Sequence, residues 1–350
     1  MPQIILNNRR QIISNGDKMP CTVITGAFWG DEGKGKIISY IALKDKLDVC
    51  VRTGSVNAAH TVWLEGNRYA LHMVPAAFVY EKCRLLIGAG ANVNVAKFFE
   101  EVEATNVKNR IGIDQQASII EEKHSIQDKT SAHLKGLGTT GWGIGPAIEE
   151  RVRRTAKLAK DIPELQPYLT DVATEVNNAI DAGKKVLLEG TQGLMLSLFH
   201  GTYPYVTGRD TSASAICSEA GVGPTKVDNV LVVFKAFVTR VGTGPLPGEL
   251  TKEEALKCGW FETAAGTGRD RRSAPFNFEL ARKAVMVNGA TQAALTKLDV
   301  LFPECKGART YDKLSTEARQ FIKEIEKQTG IPIVLIGTGP DALDIIDRRK

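Results

Sequence analysis

TGAFWGDEGKGKIISYI (residues 25–41) leaves a strand-like run, turns through glycines 26, 30, 33 and 35, and enters a segment patterned as an amphipathic helix. Bare backbone amides between a strand and a helix N-terminus suit an anion, so the turn reads as a phosphate cradle. Gly30-x4-Gly35-Lys36 matches most of a P-loop, but Ile37 stands where the magnesium-binding Ser or Thr belongs. Gly30, Gly33 and Gly35 leave amides open, Lys34 supplies a point charge, and Asp31 sits among the expected phosphates. A carboxylate there repels phosphate unless a metal or a proton transfer explains it. A tight turn with solvated charges is the plainer alternative.

The cradle is framed by CTVITG (21–26), a buried strand, and a helix over about 34–45. TVWLEGNRYALHMV has two apolar-rich arms around Glu65-Gly66-Asn67, a hairpin signal. DVCVRTG, CRLLIGAG, KVLLEG, NVLVVFKAFV, QAALTKLDVLF and IPIVLIGTG are short apolar runs that read as further strands. VAKFFEEVEATN, IEERVRRTAKLAKD and STEARQFIKEIEKQTG lie between them with helical periodicity. Buried strands alternating with helices predict an α/β fold with a central, mostly parallel β-sheet flanked by helices. With no repeat or low-complexity linker, residues 19–350 read as one domain. A second Met-Pro pair at Met19-Pro20 sets residues 1–18 apart as an N-terminal extension, expected to be mobile.

At 350 residues the chain can bury a large core, and 43% hydrophobic with 24% charged residues matches a globular protein. No apolar run approaches the ~20 residues of a membrane span, and the N-terminus lacks the pattern of a signal peptide. Six cysteines are scattered without a CxxC pair, which argues against zinc and a disulfide framework and for a reducing, cytoplasmic setting. A net charge of +5 suits small anionic substrates and gives little support to nucleic-acid binding.

Other stretches carry chemistry. GSVNAAHTV (54–62) places Asn57 and His60 on a turn, although a lone histidine is more often structural. GLGTTGWGIGPA (136–147) offers Thr139 and Thr140 before a helix carrying ERVRR, a plausible monophosphate site. EGTQG (189–193) ends a strand, and HGTYPYVTGRDTSAS (200–214) is a donor-rich polar loop. GTGRDRR (266–272) puts Arg269, Arg271 and Arg272 in a flexible loop suited to a carboxylate, with a solvated basic loop as the alternative. In TKLD (296–299) Lys297 can stack on a purine, and Asp299 can accept from guanine N1–H and N2–H.

Together and in this order, WGDEGKGK, NAAHT, GTTGWGIGPA, EGTQG, HGTYPYVT, TRVGTGPLPGEL, TGRDRR, TKLD and GTGP resemble the adenylosuccinate synthetase family, over nearly the whole chain. The resemblance implies a P-loop-like α/β fold, usually a homodimer, and a Mg2+-dependent ligase. Such a ligase phosphorylates a purine 6-oxo group with GTP or ATP/dATP, then lets the amine of L-aspartate displace phosphate. By that resemblance Asp31 takes the N1 proton and binds magnesium with the carbonyl of Ala59. His60 and Lys34 stabilise charge between the β- and γ-phosphates, within a cradle of Gly30, Gly33, Gly35 and Lys36. Gln192 orients the purine. Asn57, Thr140, Thr207 and Val241 hold the purine nucleoside monophosphate, with Arg154 reaching in from a partner subunit. Thr267, Arg269 and Arg271 clamp aspartate. Lys297, Asp299 and the turn Gly337, Thr338, Gly339, Pro340 hold the donor base. A GTPase switch would share the cradle and TKLD but leave the monophosphate and arginine stretches unused.

Three positions depart from the family pattern: Ala59 in place of glycine, SAPFNF after the arginine run, and Gly337 in place of a polar residue. With the compact length, they tilt the expectation toward the viral branch, 2-aminoadenylosuccinate synthetase. That branch acts on dGMP on the way to 2-aminoadenine DNA in the host cytoplasm. Ordinary adenylosuccinate synthesis from IMP, aspartate and GTP is the alternative, and retention of Asp31 favours it.

Overall fold

A computed structural model describes residues 21–264 and 268–349. The expected extension, residues 1–18, lies outside the described residues. β1 (Cys21–Gly26) is buried along its whole length and pairs in parallel with Val186–Glu189 on one side and Asn229–Lys235 on the other. Cover on both faces is why its sequence is a continuous apolar run rather than an alternation. Among the described residues the sheet has ten strands. Outward from β1 on one side come Val186–Glu189, β2 (Val49–Arg52), Arg84–Ile87, Ile111–Asp114 and Leu169–Thr170. On the other side come Asn229–Lys235, Gln292–Thr296, Ile333–Gly337 and Ile345–Asp347. Only the last runs antiparallel to its neighbour. The mostly parallel α/β architecture is therefore present. The carboxyl ends of the parallel strands open on one rim, where open α/β sheets bind ligands.

α1 (Lys34–Asp45) starts at Gly33, whose φ of 82° only glycine adopts cheaply. The expected amphipathic stripe is absent, because residues 34–42 are all buried. The sheet covers one side of α1. The hairpin of β3 (His60–Leu64) and β4 (Asn67–Leu71), with the turn at Ala76–Val79, covers the other. Glu65 and Gly66 both have positive φ, the signature of a two-residue hairpin turn whose twist matches its strands. A Cβ at Gly35 would lie 2.9 Å from the Thr61 carbonyl oxygen, so glycine lets the cradle approach the hairpin.

Four expectations need correction. The run NVLVVFKAFV breaks at Ala236, and Phe237–Arg240 leaves the main sheet to pair antiparallel with Asp270–Pro275. That strand also pairs with Glu262–Thr263, so Arg271 and Arg272 sit on a strand and not in a flexible loop. The helix expected through IEERVRRTAKLAKD spans Ile144–Arg153 and stops at Arg154, whose left-handed backbone (φ 65°) ends it. QAALTKLDVLF likewise divides into a strand and a short helix, Leu298–Leu301, with Lys297 between them.

Candidate functional site

Among the described residues, two cavities of about 730 and 390 Å3 open on the rim, and both are lined by Asp31 and Ala59. The larger holds Gly33, Lys34, Gly35 and Lys36 from the cradle, His60 from β3, and Lys297, Asp299, Gly339 and Pro340 opposite. Arg271 lines it too, beside Asp31. The smaller holds Gly30, Asn57, Thr140, Gln192, Thr207, Val241 and Arg269. Sequence motifs far apart in the chain thus gather as two chambers with a common wall. Arg154 is exposed, and neither it nor Gly337 and Thr338 lines a chamber. Thr338 is fully buried, its hydroxyl donating to the Ala308 carbonyl (2.8 Å). Thr267 lies outside the described residues.

Inside the larger chamber, charge is arranged in pairs. Lys34 Nζ reaches Glu32 Oε2 at 2.8 Å, and Glu32 Oε1 accepts from the Phe28 and Gly30 amides, 2.9 Å each. Glu32 therefore shapes the loop that Asp31 occupies, a role its position beside Asp31 did not reveal. Lys36 Nζ donates to the Gly339 carbonyl (2.9 Å) and to that of Asp341, tying α1 to the far wall. Burial lowers Lys36 to a pKa of about 8 against the pull of Asp344 and Asp299. Asp31 Oδ1 pairs with Arg271 Nη2 at 2.8 Å. Burial nevertheless raises the Asp31 pKa, against the attraction of Arg271 and Lys235. Asp31, Gln192 and Lys297 all hold left-handed backbone, φ 63°, 62° and 60°. Each such residue costs on the order of 1–3 kcal/mol and commonly marks a functional position.

His60 is fixed from behind. Its Nδ1 lies 2.6 Å from Glu189 Oε1 and 3.1 Å from Arg52 Nη1. An ionised carboxylate only accepts, so the 2.6 Å contact assigns Nδ1–H as donor to Glu189, and the donor-only Arg52 Nη1 bonds the same carboxylate oxygen at 2.6 Å rather than Nδ1. Nε2 is then the free lone pair, buried and without a hydrogen-bond partner among the described residues. Asn57 Oδ1 and Gln192 Oε1, in the other chamber, are orphaned in the same way. Buried polar atoms are normally satisfied, and these three belong to residues that line the chambers.

Burial and the nearby Arg52 push His60 down to a pKa of about 4, against Glu189. An unfolded histidine titrates near 6.5, so between that value and about 4 the unfolded chain takes the proton that the folded chain resists. Stability from this group is present above that window and lost as pH falls through it, by on the order of 3 kcal/mol. The urea midpoint of wild type, relative to His60→Asn, is expected to fall by a corresponding amount from about pH 7 to about pH 4. A difference that stays constant with pH would mean that His60 does not titrate there.

Away from both chambers, Glu121, His124 and Glu150 are close enough to hold a metal ion. His124 Nδ1 accepts the Glu121 amide (3.0 Å), so its ring proton sits on Nε2, the atom that would have to ligate. Lys123 and Lys157 already neutralise the carboxylates at 2.7–3.0 Å. The cluster is an ion-pair network.

The family model for adenylosuccinate synthetase matches residues 23–164 and 155–304. The chain belongs to the adenylosuccinate synthetase family. It is 51% identical over 336 residues to the adenylosuccinate synthetase of Pyrococcus horikoshii, across 95% of this chain and 99% of that one. Against the Methanocaldococcus jannaschii enzyme it is 53% identical over 337 residues, covering 95% and 98%. The fully ligated adenylosuccinate synthetase of Plasmodium falciparum superposes with a TM-score of 0.87 at 27% identity, over 95% of this chain and all of that one. The cyanophage S-2L succinoaminodeoxyadenylate synthetase, bound to dGMP and to dATP as an energy donor, superposes at 0.80 with 21% identity, covering 94% and 95%. That last likeness is one of fold alone. As an adenylosuccinate synthetase family member, the chain is a ligase that forms a C–N bond in purine biosynthesis.

Two of the three departures from the family pattern lie off the chambers. Within SAPFNF, Ser273 and Ala274 are buried in a strand, while Phe276 packs edge-on against Phe28 and Phe278. Gly337 ends its strand, where a Cβ would abut Lys36 Cε at 3.2 Å. Only Ala59 faces ligand space. Among the described residues no helix is long and apolar enough to cross a membrane, and all six cysteines are free.

Proposed function

We propose that the chain condenses IMP with L-aspartate at the expense of GTP, giving adenylosuccinate, GDP and phosphate. The observation that carries the reading is the pair of chambers meeting at Asp31 and Ala59. One chamber is sized and charged for a triphosphate, the other for a monophosphate. Identity above 50% to adenylosuccinate synthetases supports IMP over the dGMP expectation, as do departures that lie mostly off the chambers.

In this reading Asp31 takes the N1 proton, and the resulting 6-oxyanion attacks the γ-phosphate with GDP leaving. A carboxylate whose pKa is raised by burial is a stronger base for that step. Lys34 and His60 meet charge that grows between the β- and γ-phosphates. The incoming polyphosphate favours protonation of His60 Nε2, opposing the desolvation that keeps it neutral. The aspartate amine then bonds to C6, phosphate leaves with the C6–O6 bond electrons, and the amine loses a proton. Gln192 orients the purine. Asn57, Thr140, Thr207 and Val241 hold the monophosphate, Arg269 and Arg271 the aspartate, and Lys297 and Asp299 the donor base. Arg154, exposed at a helix end, contributes to the chamber of a second copy in a homodimer.

Mg2+ fits the junction. Asp31 offers a carboxylate and Ala59 a carbonyl that accepts no hydrogen bond among the described residues, both hard oxygen donors. Bound there, Mg2+ would neutralise charge on the transferring phosphoryl group. The test is phosphate release with magnesium and L-aspartate, crossing IMP and dGMP with GTP, ATP and dATP. Turnover with IMP and GTP is the expected result. Turnover with dGMP and little with IMP would overturn the reading in favour of the 2-aminoadenine pathway.

A further inference from the structure

Glu262 lines the larger chamber, and no motif of the sequence singled it out. It lies opposite Arg271 in the antiparallel pair of Glu262–Thr263 with Asp270–Pro275. Its carboxylate gathers three cations: Lys235 Nζ at 2.7 Å and Arg271 Nη1 at 2.6 Å on Oε2, and Lys297 Nζ at 3.2 Å on Oε1. Those contacts hold its pKa far below the usual carboxylate range although burial opposes them. Lys235 is buried behind it, while Lys297 is half exposed in the chamber.

Arg271 shows what the arrangement achieves. A guanidinium captures a carboxylate along an edge of two parallel N–H groups. With Nη1 held by Glu262, the edge left for a ligand is Nε with Nη2. Nε is buried and has no hydrogen-bond partner among the described residues, and Nη2 rests on Asp31. A substrate carboxylate can take that edge, which releases Asp31 for its own work.

We propose that Glu262 is a positioning residue that fixes Arg271 and Lys297 as one unit, so that the aspartate clamp and the donor-base clamp are set by a single carboxylate. The proposal rests on the roles assigned above to those two side chains. Glu262 touches neither reacting atom; it acts through Arg271, by leaving one edge open, and through Lys297, by limiting where a long flexible side chain can go.

The test compares wild type, Glu262→Gln and the double variant Glu262→Gln/Lys235→Met by steady-state kinetics with IMP, GTP and L-aspartate. The double variant removes the buried ammonium that a lost partner would strand, so a fold-competent form is available if the single variant fails to fold. Both KM for aspartate and KM for GTP are expected to rise about tenfold, as for loss of one charge-assisted hydrogen bond, with KM for IMP within about twofold of wild type. A split of that kind is one a merely structural role would not produce. Wild-type turnover with all three KM values unchanged in the double variant would overturn the proposal alone. A wild-type chain without turnover would remove the underlying reading and the proposal with it.

Discussion

Asp31→Asn is expected to lower kcat about 10³-fold while leaving the protein at least as stable to heat. The amide keeps the shape of the carboxylate but cannot take a proton, and general-base help is typically worth about 10²–10⁴ in rate. The stability half follows from the direction of the Asp31 shift. Burial raises its pKa in the folded state, so at neutral pH the ionised form is held at a cost that asparagine does not bear. Arg271 keeps its bond to Glu262 in the variant, so no cation is stranded. Single-turnover rates with saturating IMP and GTP, alongside a thermal melt, decide the matter. More than a tenth of wild-type rate would place the base elsewhere, and a large drop in melting temperature would make Asp31 structural.

Glu189 carries the largest expected effect on stability. It is fully buried and accepts from Arg52, His60 and the Ala76 amide at 2.6, 2.6 and 2.8 Å. Burial pushes its pKa up, but Arg52 and then His60 outweigh that and hold it below the ordinary value. Glu189→Ala leaves the Arg52 guanidinium in the core without its carboxylate, a change that typically costs about 3–5 kcal/mol. It also frees His60 to adopt the other tautomer, so the surviving folded protein should be slow. Urea unfolding of Glu189→Ala and of Glu189→Leu/Arg52→Met separates the two consequences. The double variant, with both charges removed, is expected to recover much of the stability and none of the rate. A double variant no more stable than the single one would show that the stranded charge is not the cause.

The main sheet was legible because its central strands are buried on both faces and therefore write themselves as unbroken apolar runs, β1 above all. The chambers were legible because glycines and hydroxyls cluster where backbone must approach phosphate. What stayed hidden depends on partners distant in sequence. Glu189, Glu262 and Lys235 look like strand-end charges until the fold brings Glu189 against His60, and Glu262 against Lys235, Arg271 and Lys297. NVLVVFKAFV reads as one strand because periodicity does not register a change of sheet at Ala236. The residues around Arg271 read as loop because glycine and charge dominate locally, while the pairing that makes them a strand comes from Phe237–Arg240 and Glu262–Thr263. Gly337 misled for a related reason: a position beside a ligand loop can still face the core.

The left-handed backbone at Asp31, Gln192 and Lys297 sets durability against chemistry at three codons. Glycine would relax each of these positions, since it alone adopts that conformation without a steric penalty. Random mutation followed by a screen for heat tolerance alone would therefore reward the loss of the three side chains to which the proposed function gives proton transfer, purine orientation and donor-base binding. Only simultaneous selection for growth that depends on making the product keeps those side chains in place, so the working enzyme sits below the stability its own fold could reach.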